Sequence, residues 1–383
     1  MPPDVVNESA TGPSSGHVLS PEGIWAGTLH LYVAFDWGEE IDLEHARRLV
    51  PAEVHELPRR LRTPASVGYR PPPLRFQATM DPPDLPEVGP PLGAADVTLF
   101  DFAAVSVALH LPFRLSADSL RRLANRLANP TLVVQAARAA LEPLYHRLLP
   151  AIQNPQWKDN LSEEYFVFQL TSEDGGPAAD RLRGSHASWL AGLLRLEAGP
   201  FSNEEEAEVL RLHLSYSPDD LLVPDWASAV LFDHDCDETL QIIEFANLQL
   251  LEFRHLDNRL DESLADAYQM IHPLVESRLP FWRNYARPLR ALGELKVEAN
   301  SLFERTGNVL KLMGDQYLAR VYRLLASRFH LEDWERSIQR KLEIAEGVYR
   351  VVSDQAGIYR TEFLEIIVIV LIVLEILLAL FRH

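Results

Sequence analysis

The sequence predicts an α+β fold, in which an N-terminal mixed strand and helix domain is followed by a long helical hairpin and a C-terminal transmembrane helix. Short β-branched and aromatic runs alternate with helical runs in the N-terminal half, helical spacing dominates residues 238–360, and the chain ends in a long apolar run. We therefore predict a disordered lead at 1–24, an α+β domain at 25–235, a helical and coiled-coil region at 236–361 and an anchor at 362–381.

The N-terminal domain is predicted to form strands where β-branched and aromatic residues concentrate. These runs are 27–35, 97–113, 165–170, 210–216 and 229–232. Helical runs lie between them at 43–50, 119–127, 132–149 and 186–196. The Pro-rich stretch 64–91 is predicted to be an extended loop. Strands and helices interleaved in this way build layered sandwiches.

The helical region is predicted to contain long helices that pack against each other. The first begins at Glu238 and ends before Pro273, because proline lacks the backbone N–H that a helix interior needs. A segment at 287–329 and a helix from Glu332 onward would form an antiparallel hairpin that turns at His330. Apolar residues at steps of three and four favour core packing over cofactor binding as the role of these helices.

The apolar run at 363–381 is 19 residues long, close to the length that spans a bilayer. Sixteen of its residues are Phe, Leu, Ile or Val, while Glu365 and Glu375 interrupt it. The apolar residues favour insertion by roughly 5–9 kcal/mol, against about 3 kcal/mol for a central acid. More basic residues precede the run than follow it. The prediction is a single-pass C-terminal anchor in the lipid bilayer, with the bulk of the chain cytoplasmic.

Glu375 lies deep inside this run, and three interpretations of it stay open. It hydrogen-bonds across paired helices and specifies a homo-oligomer, it is tolerated without a role, or it carries protons or ions. We favour the homo-oligomer among these.

The composition narrows the class of function. A formal net charge of −19 argues against broad binding to nucleic acid, which needs a positive field. Cys236 is the only cysteine, so no disulfide forms within the chain, as in a reducing compartment. The sequence has no P-loop, HExxH, GxSxG, GxGxxG or paired CxxC motif. We therefore predict no cofactor and assign no catalytic residue.

The densest polar cluster lies between a predicted strand and a predicted helix. Its side chains are all of types that bind metals: Asp233, His234, Asp235, Cys236, Asp237 and Glu238. The candidate metal ligands are Asp233, His234, Asp235 and Asp237. The favoured alternative is a helix cap, in which the acids satisfy free backbone N–H groups and the helix dipole.

Three histidines each lie within Leu-His-Leu on a predicted strand. They are His30, His110 and His213. If their strands are neighbours, the imidazoles could share one face of the sheet. Alternation along a strand equally makes each histidine the outward residue between two inward leucines, and this is the favoured interpretation.

Three stretches resemble the required-for-meiotic-nuclear-division family, membrane proteins with a conserved domain of unknown function. They are LYVAFDWGEEIDLEHA at 31–46, IIEFANLQLLEFRHLDNRL at 242–260 and EFLEIIVIVLIVLEILLAL at 362–380. The resemblance implies a membrane protein of assemblies or tethers, linked in some members to mitochondrial translation and in others to meiosis or sporulation. Because the N-terminus lacks a transit-peptide pattern, it implies a bacterial inner-membrane member. It carries over no catalytic residues.

We predict from these features a membrane-anchored, non-enzymatic scaffold. Its α+β domain would offer a binding face, and its hairpin would project that face or build an oligomer. Its partners would be proteins, with the translation machinery suggested by the resemblance alone, and no direct nucleic acid contact is expected. The alternatives are a metal-dependent hydrolase that uses the cluster from Asp233 to Asp237, and an oligomeric proton or ion pathway through Glu375.

Overall fold

The computed structural model describes residues 23–50, 73–158, 161–171, 182–233, 236–276, 286–312 and 316–381. In these residues the chain has a mixed α+β fold around a seven-stranded sheet. The strands of this sheet are β1 (Ile24–Asp36), β3 (Leu74–Ala78), β4 (Ala95–Leu99), β5 (Ala104–Ser116), β7 (Ser162–Thr171), β8 (Leu221–Pro224) and β9 (Ser228–Phe232). A second, two-stranded sheet pairs β2 (Glu40–Ile41) with β6 (Ile152–Gln153).

The large sheet has the strand order β3-β4-β5-β1-β7-β9-β8. All neighbouring strands are antiparallel except β7 and β9, which are parallel. The long strand β1 lies at the centre, where it pairs with β5 along its whole length and with β7 on its other side. Gly27 in β1 is required by this packing, because an added Cβ would lie 2.0 Å from the backbone oxygen of Gln169.

Helices cover both faces of the sheet. In chain order they are α1 (Leu43–Leu49), α2 (Ala117–Leu127), α3 (Thr131–Leu148), α4 (Ala187–Leu194), α5 (Asn203–Arg211), α6 (Asp237–Glu276), α7 (Ala286–Leu312), α8 (Gln316–Arg328) and α9 (Leu331–Phe381). Polar side chains begin several of them, as at α2, where the hydroxyl of Ser116 accepts a hydrogen bond from the N–H of Ser119.

Two hydrophobic cores form because strand side chains alternate between the faces. Leu29, Leu31 and Val33 of β1 point to the core under α2, α3 and α4. Tyr32 points to the opposite core, which α6 covers together with α8 and α9. The helical region therefore packs directly on the sheet. The two sheet faces and their helices form a three-layer arrangement.

The predicted turn of the hairpin is present, but the first arm predicted at 287–329 corresponds to two helices, α7 and α8. Helices α8 and α9 turn at Phe329 and His330, where the φ angle of His330 is 52°. This left-handed conformation reverses the chain within two residues. Phe329 is fully buried in the core that the helices share with the sheet.

Several predicted elements need correction. The run 97–113 is two strands, because a turn with Ala103 at a φ of 63° separates β4 from β5. The predicted strand 210–216 is the end of α5 followed by an isolated bridge between Leu214 and Leu222. Strand β3 lies inside the stretch predicted as a loop, and α6 continues past Pro273 to Glu276.

The predicted C-terminal transmembrane helix is wrong. Among the helices that the structure describes, none holds a segment long and apolar enough to cross a membrane. Glu365 and Glu375 both lie in α9, the helix that runs from Leu331 to Phe381. The single-pass topology, the anchor at 362–381 and the location deduced from them are not supported.

Candidate functional site

A row of polar side chains crosses five neighbouring strands on the α6 side of the sheet. Hydrogen bonds link each member to the next, from β3 to the segment that follows β9. The members, in order, are Gln77, Asp96, His110, His30, Gln169 and the backbone carbonyl of Asp233.

Strand register places these side chains together. His30 of β1 is directly opposite His110 of β5, and Gln77 of β3 is directly opposite Asp96 of β4. His30 lies two residues before Tyr32, which points into the core under α6, so both project from the same face. Two of the three histidines in the Leu-His-Leu pattern, His30 and His110, therefore form one histidine pair.

The hydrogen bonds around Gln169 define the protonation of His30. The side-chain amide of Gln169 donates from Nε2 to the carbonyl of Asp233 at 3.0 Å. Its Oε1 lies 2.9 Å from Nε2 of His30, so this nitrogen carries a proton and donates it. A neutral His30 therefore has a bare Nδ1.

The opposite end of the pair is held by a carboxylate. Nε2 of His110 lies 3.3 Å from Oδ2 of Asp96, and Gln77 donates from Nε2 to Oδ1 of the same carboxylate at 3.1 Å. Because an ionised carboxylate only accepts hydrogen bonds, Nε2 of His110 carries the proton of this contact.

The two Nδ1 atoms of the histidine pair face each other at 2.7 Å. The rings meet edge to face, with centroids 4.8 Å apart. If both Nε2 atoms are donors and both rings are neutral, two lone pairs would oppose each other at this distance. A positive charge between them relieves the repulsion, and the two species that fit are a shared proton and a metal ion.

Burial disfavours a proton on His30. Desolvation, followed by the nearby His110, lowers the pKa of His30 to about 3, although the hydrogen bond to Gln169 raises it. His30 therefore stays neutral near pH 7. The side chains of His110 and Asp96 are 26% and 24% exposed, so the row opens to solvent at this end.

Asp233, the first residue of the predicted acidic cluster, lies at the inner end of this row. Asp233 contributes its backbone carbonyl to Gln169, and Asp237 is the first residue of α6. His234 and Asp235 lie outside the described residues. In the part of the chain that the structure describes, no group of three or more His, Cys, Asp or Glu side chains is arranged to hold a metal.

His213 lies away from the histidine pair. It follows α5 rather than lying in a strand, its Nδ1 contacts the carbonyl of Leu210, and its Nε2 accepts from Arg183. The alternative of one face shared by three histidines therefore does not hold for His213, and neither does its predicted place in a strand.

A second group of buried ionisable residues lies near the other end of β1. Burial is the largest influence on both carboxyl groups, and it raises the pKa values of Asp36 and Glu163 to about 7. Glu163 forms an ion pair with Arg254 of α6, and Asp36 accepts a hydrogen bond from the N–H of Gly38. Burial lowers the pKa of the nearby His255 to about 3.

These carboxyl groups predict a stability that falls with rising pH. Both pKa values are raised above those of the unfolded chain, so the stabilisation is complete below about pH 4 and is lost as the pH rises to about 7. Glu163→Gln should flatten the change in unfolding free energy over this range by on the order of 2 kcal/mol. Urea denaturation at a series of pH values measures the effect. The exposed Glu197→Gln is the control, and an equal slope in both variants would contradict the assignment.

The fold and the site together define a layered α+β domain with a partly open histidine pair on its central sheet. Residues 26–238 match the family described as "Uncharacterized protein MJ0711, N-terminal domain", and the chain belongs to this family. The uncharacterized protein MJ0711 of Methanocaldococcus jannaschii is 29% identical over 224 residues, which cover 58% of this chain and 67% of that protein. Every member of the polar row lies within the matched residues.

The predicted resemblance to the required-for-meiotic-nuclear-division family is wrong, since the matched family is a different one. Two of the three stretches used for that resemblance, 242–260 and 362–380, lie wholly outside the matched residues. The stretch 242–260 lies in α6, where its pattern reflects packing on the sheet: Ala246 is buried, and Asn247 donates to the carbonyl of Glu163. Helices with such buried faces occur in many families.

Gln77, Asp96 and Gln169 were not predicted as site residues. Each is a polar residue in a strand, flanked by apolar residues that point to the opposite face. Alternation identifies them as residues of the polar face but does not reveal that they meet the histidines.

Proposed function

We propose that the family domain of this chain binds a divalent late first-row transition-metal ion through Nδ1 of His30 and Nδ1 of His110. The observation that supports this most is the arrangement of the hydrogen bonds. Both Nδ1 atoms converge, while oxygen acceptors hold both Nε2 atoms from outside. Imidazole ligands of metals are oriented in this way, with the second nitrogen donating to a carboxylate or another oxygen.

The separation of the nitrogens favours adjacent ligand positions. Two ligands at 90° with metal–nitrogen bonds of about 2.0–2.1 Å lie about 2.8–3.0 Å apart, and tetrahedral ligands about 3.3 Å apart. The observed 2.7 Å is nearer the first value. Square-planar or octahedral coordination, as in Cu²⁺ or Ni²⁺, therefore fits best, and imidazole suits both ions.

Two protein ligands leave most coordination positions to water or to a bound molecule. The exposed side of His110 and Asp96 gives access to these positions. An open metal position is what catalytic sites retain and structural sites lack. We infer a labile, accessible ion rather than a structural one. This site differs from the hydrolase hypothesis, which places the ion on Asp233, His234, Asp235 and Asp237.

Isothermal titration of the full chain with NiCl₂ and ZnCl₂ tests the proposal. Wild type should bind one ion per chain, and His110→Gln should bind at least about tenfold more weakly because it loses a ligand. His146→Gln, which changes an exposed histidine at the end of α3, is the matched control and should bind like wild type. No binding by wild type, or equal binding by His110→Gln, would overturn the proposal.

A second candidate function is assembly of copies of this chain into a non-enzymatic scaffold. Apolar side chains between Leu364 and Leu377 of α9 have exposed fractions from 37% to 61%. An exposed apolar surface of this extent is typical of an interaction site. We propose that a second copy covers it.

Light scattering after size-exclusion chromatography tests the scaffold hypothesis. Wild type should have a mass that is a multiple of 43.3 kDa, and Leu371→Asp should shift it to 43.3 kDa. Leu92→Asp, which changes an exposed leucine far along the chain from α9, should leave the assembly intact. A monomeric wild type would end this hypothesis.

A further inference from the structure

A cavity of about 510 Å³ lies beside α2, the helix that packs on the sheet face opposite the histidine pair. Its lining residues are Asp118, Arg121, Arg122, Asn125, Arg126 and Ala198. A volume of this size lies within the range of small-molecule sites, which runs from about 300 to 1,000 Å³.

The cavity concentrates positive charge in a strongly acidic chain. Three guanidinium groups and one carboxylate line it, whereas the whole chain has a net charge of −19. The lining residues of α2 recur at steps of three and four, so they project from one side of the helix. With Asp118 and the Glu87 partner of Arg126 counted, the three arginines still leave a formal charge of +1, which favours anions.

The arginines are held in place but keep unused donors. Arg121 donates from Nη2 to the carbonyl of Ala198 at 2.6 Å, and its buried Nε has no hydrogen-bond partner among the described residues. Gly192 of α4 leaves room for it, because an added Cβ there would lie 3.3 Å from this Nε. Arg122 donates to the hydroxyl of Ser119 at 2.8 Å.

Arg126 pairs with the carboxylate of Glu87. Its Nε and Nη2 both contact Oε1 of Glu87, at 3.3 and 2.9 Å. This contact uses only one edge of the guanidinium group, which has five donor hydrogens in all. The three arginines therefore present several charge-assisted donors to a molecule in the cavity.

We propose that this cavity binds a small molecule that carries a phosphate group. The planar guanidinium fork matches the spacing of phosphate oxygens, and several arginines on one helix can contact different oxygens of the same group. Asn125 adds an amide donor for the remainder of the ligand. This site is independent of the histidine pair, because the two lie on opposite sides of the sheet.

Titration calorimetry with pyrophosphate and AMP tests the proposal, with adenosine as the uncharged comparison. Wild type should bind both phosphate compounds and not adenosine. Arg122→Gln should weaken their binding about tenfold, since a charge-assisted hydrogen bond is lost. Arg122 is exposed, so its replacement should leave the thermal midpoint unchanged, and Arg147→Gln on α3 is the matched exposed control.

The outcomes separate the proposal from its alternatives. Binding of AMP and pyrophosphate that weakens in Arg122→Gln but not in Arg147→Gln supports it. Equal binding of sulfate and citrate would overturn it by showing a site for anions in general. Absence of binding up to millimolar ligand, or equal binding by both variants, would also overturn it.

Discussion

Asp225→Ala should lower the free energy of unfolding by about 3–5 kcal/mol. Asp225 is 1% exposed and precedes β9, where its carboxylate contacts Nη1 of Arg195 at 3.1 Å and Nη1 of Arg328 at 3.5 Å. Arg195 follows α4 and Arg328 ends α8, so one carboxylate joins a helix from each layer to the sheet. Its removal leaves two guanidinium groups without their shared buried counter-charge, which is more costly than the loss of an exposed pair.

Urea denaturation followed by circular dichroism measures this change. Asp219→Ala removes an exposed carboxylate from the segment before β8 and should change the unfolding free energy by less than about 0.5 kcal/mol. If Asp225→Ala lost no more than this control, the ion pairs would not hold the layers together.

Phe329→Ala should also lower the unfolding free energy by about 3–5 kcal/mol, the usual cost of removing a buried aromatic side chain. Phe329 is fully buried at the turn between α8 and α9, and its ring meets that of Tyr165 in β7 at a centroid distance of 5.3 Å. The truncation removes a contact that attaches the hairpin to the sheet. We therefore expect the sheet and the hairpin to lose stability together.

Hydrogen exchange with denaturant titration tests this coupling. The protection of amides in β7 and in α8 should fall by the same free energy in Phe329→Ala. The control is Tyr268→Ala, which removes an aromatic side chain that is 55% exposed. In this variant the amides of β7 and α8 should keep the protection that they have in wild type. Loss of protection in α8 alone would show that the helical region unfolds independently of the sheet.

Local patterns predicted much of the secondary structure because they depend on neighbouring residues. The composition of 165–170 placed β7, and the helical spacing placed α3, within a few residues of their observed ends. Strand β3 was missed because Leu74–Ala78 is short and lies among prolines, where composition indicates a loop. The turn inside the run 97–113 was not predicted because its four residues, 100–103, include no glycine or proline.

The histidine pair was predicted only as one alternative, because local sequence patterns do not determine which distant strands pair. His30 and His110 are 80 residues apart, and the register of β1 with β5 decides that they meet. Gln169 lies still farther along the chain. A shift of one residue in that register would place the two histidines on opposite faces of the sheet. The C-terminal anchor was deduced from the length and apolarity of 363–381 and from its flanking charges, but no described helix is long and apolar enough to cross a membrane.

The claim that Nδ1 atoms of the histidine pair bind a metal is tested most directly by long-range ¹H–¹⁵N NMR of the histidine side chains. During addition of diamagnetic Zn²⁺, the Nδ1 resonances of His30 and His110 should shift together, saturating at one ion per chain. Their Nε2 protons should persist, because Gln169 and Asp96 accept them in the bound state. Shifts confined to other histidines, or loss of the Nε2 protons, would contradict the proposed site.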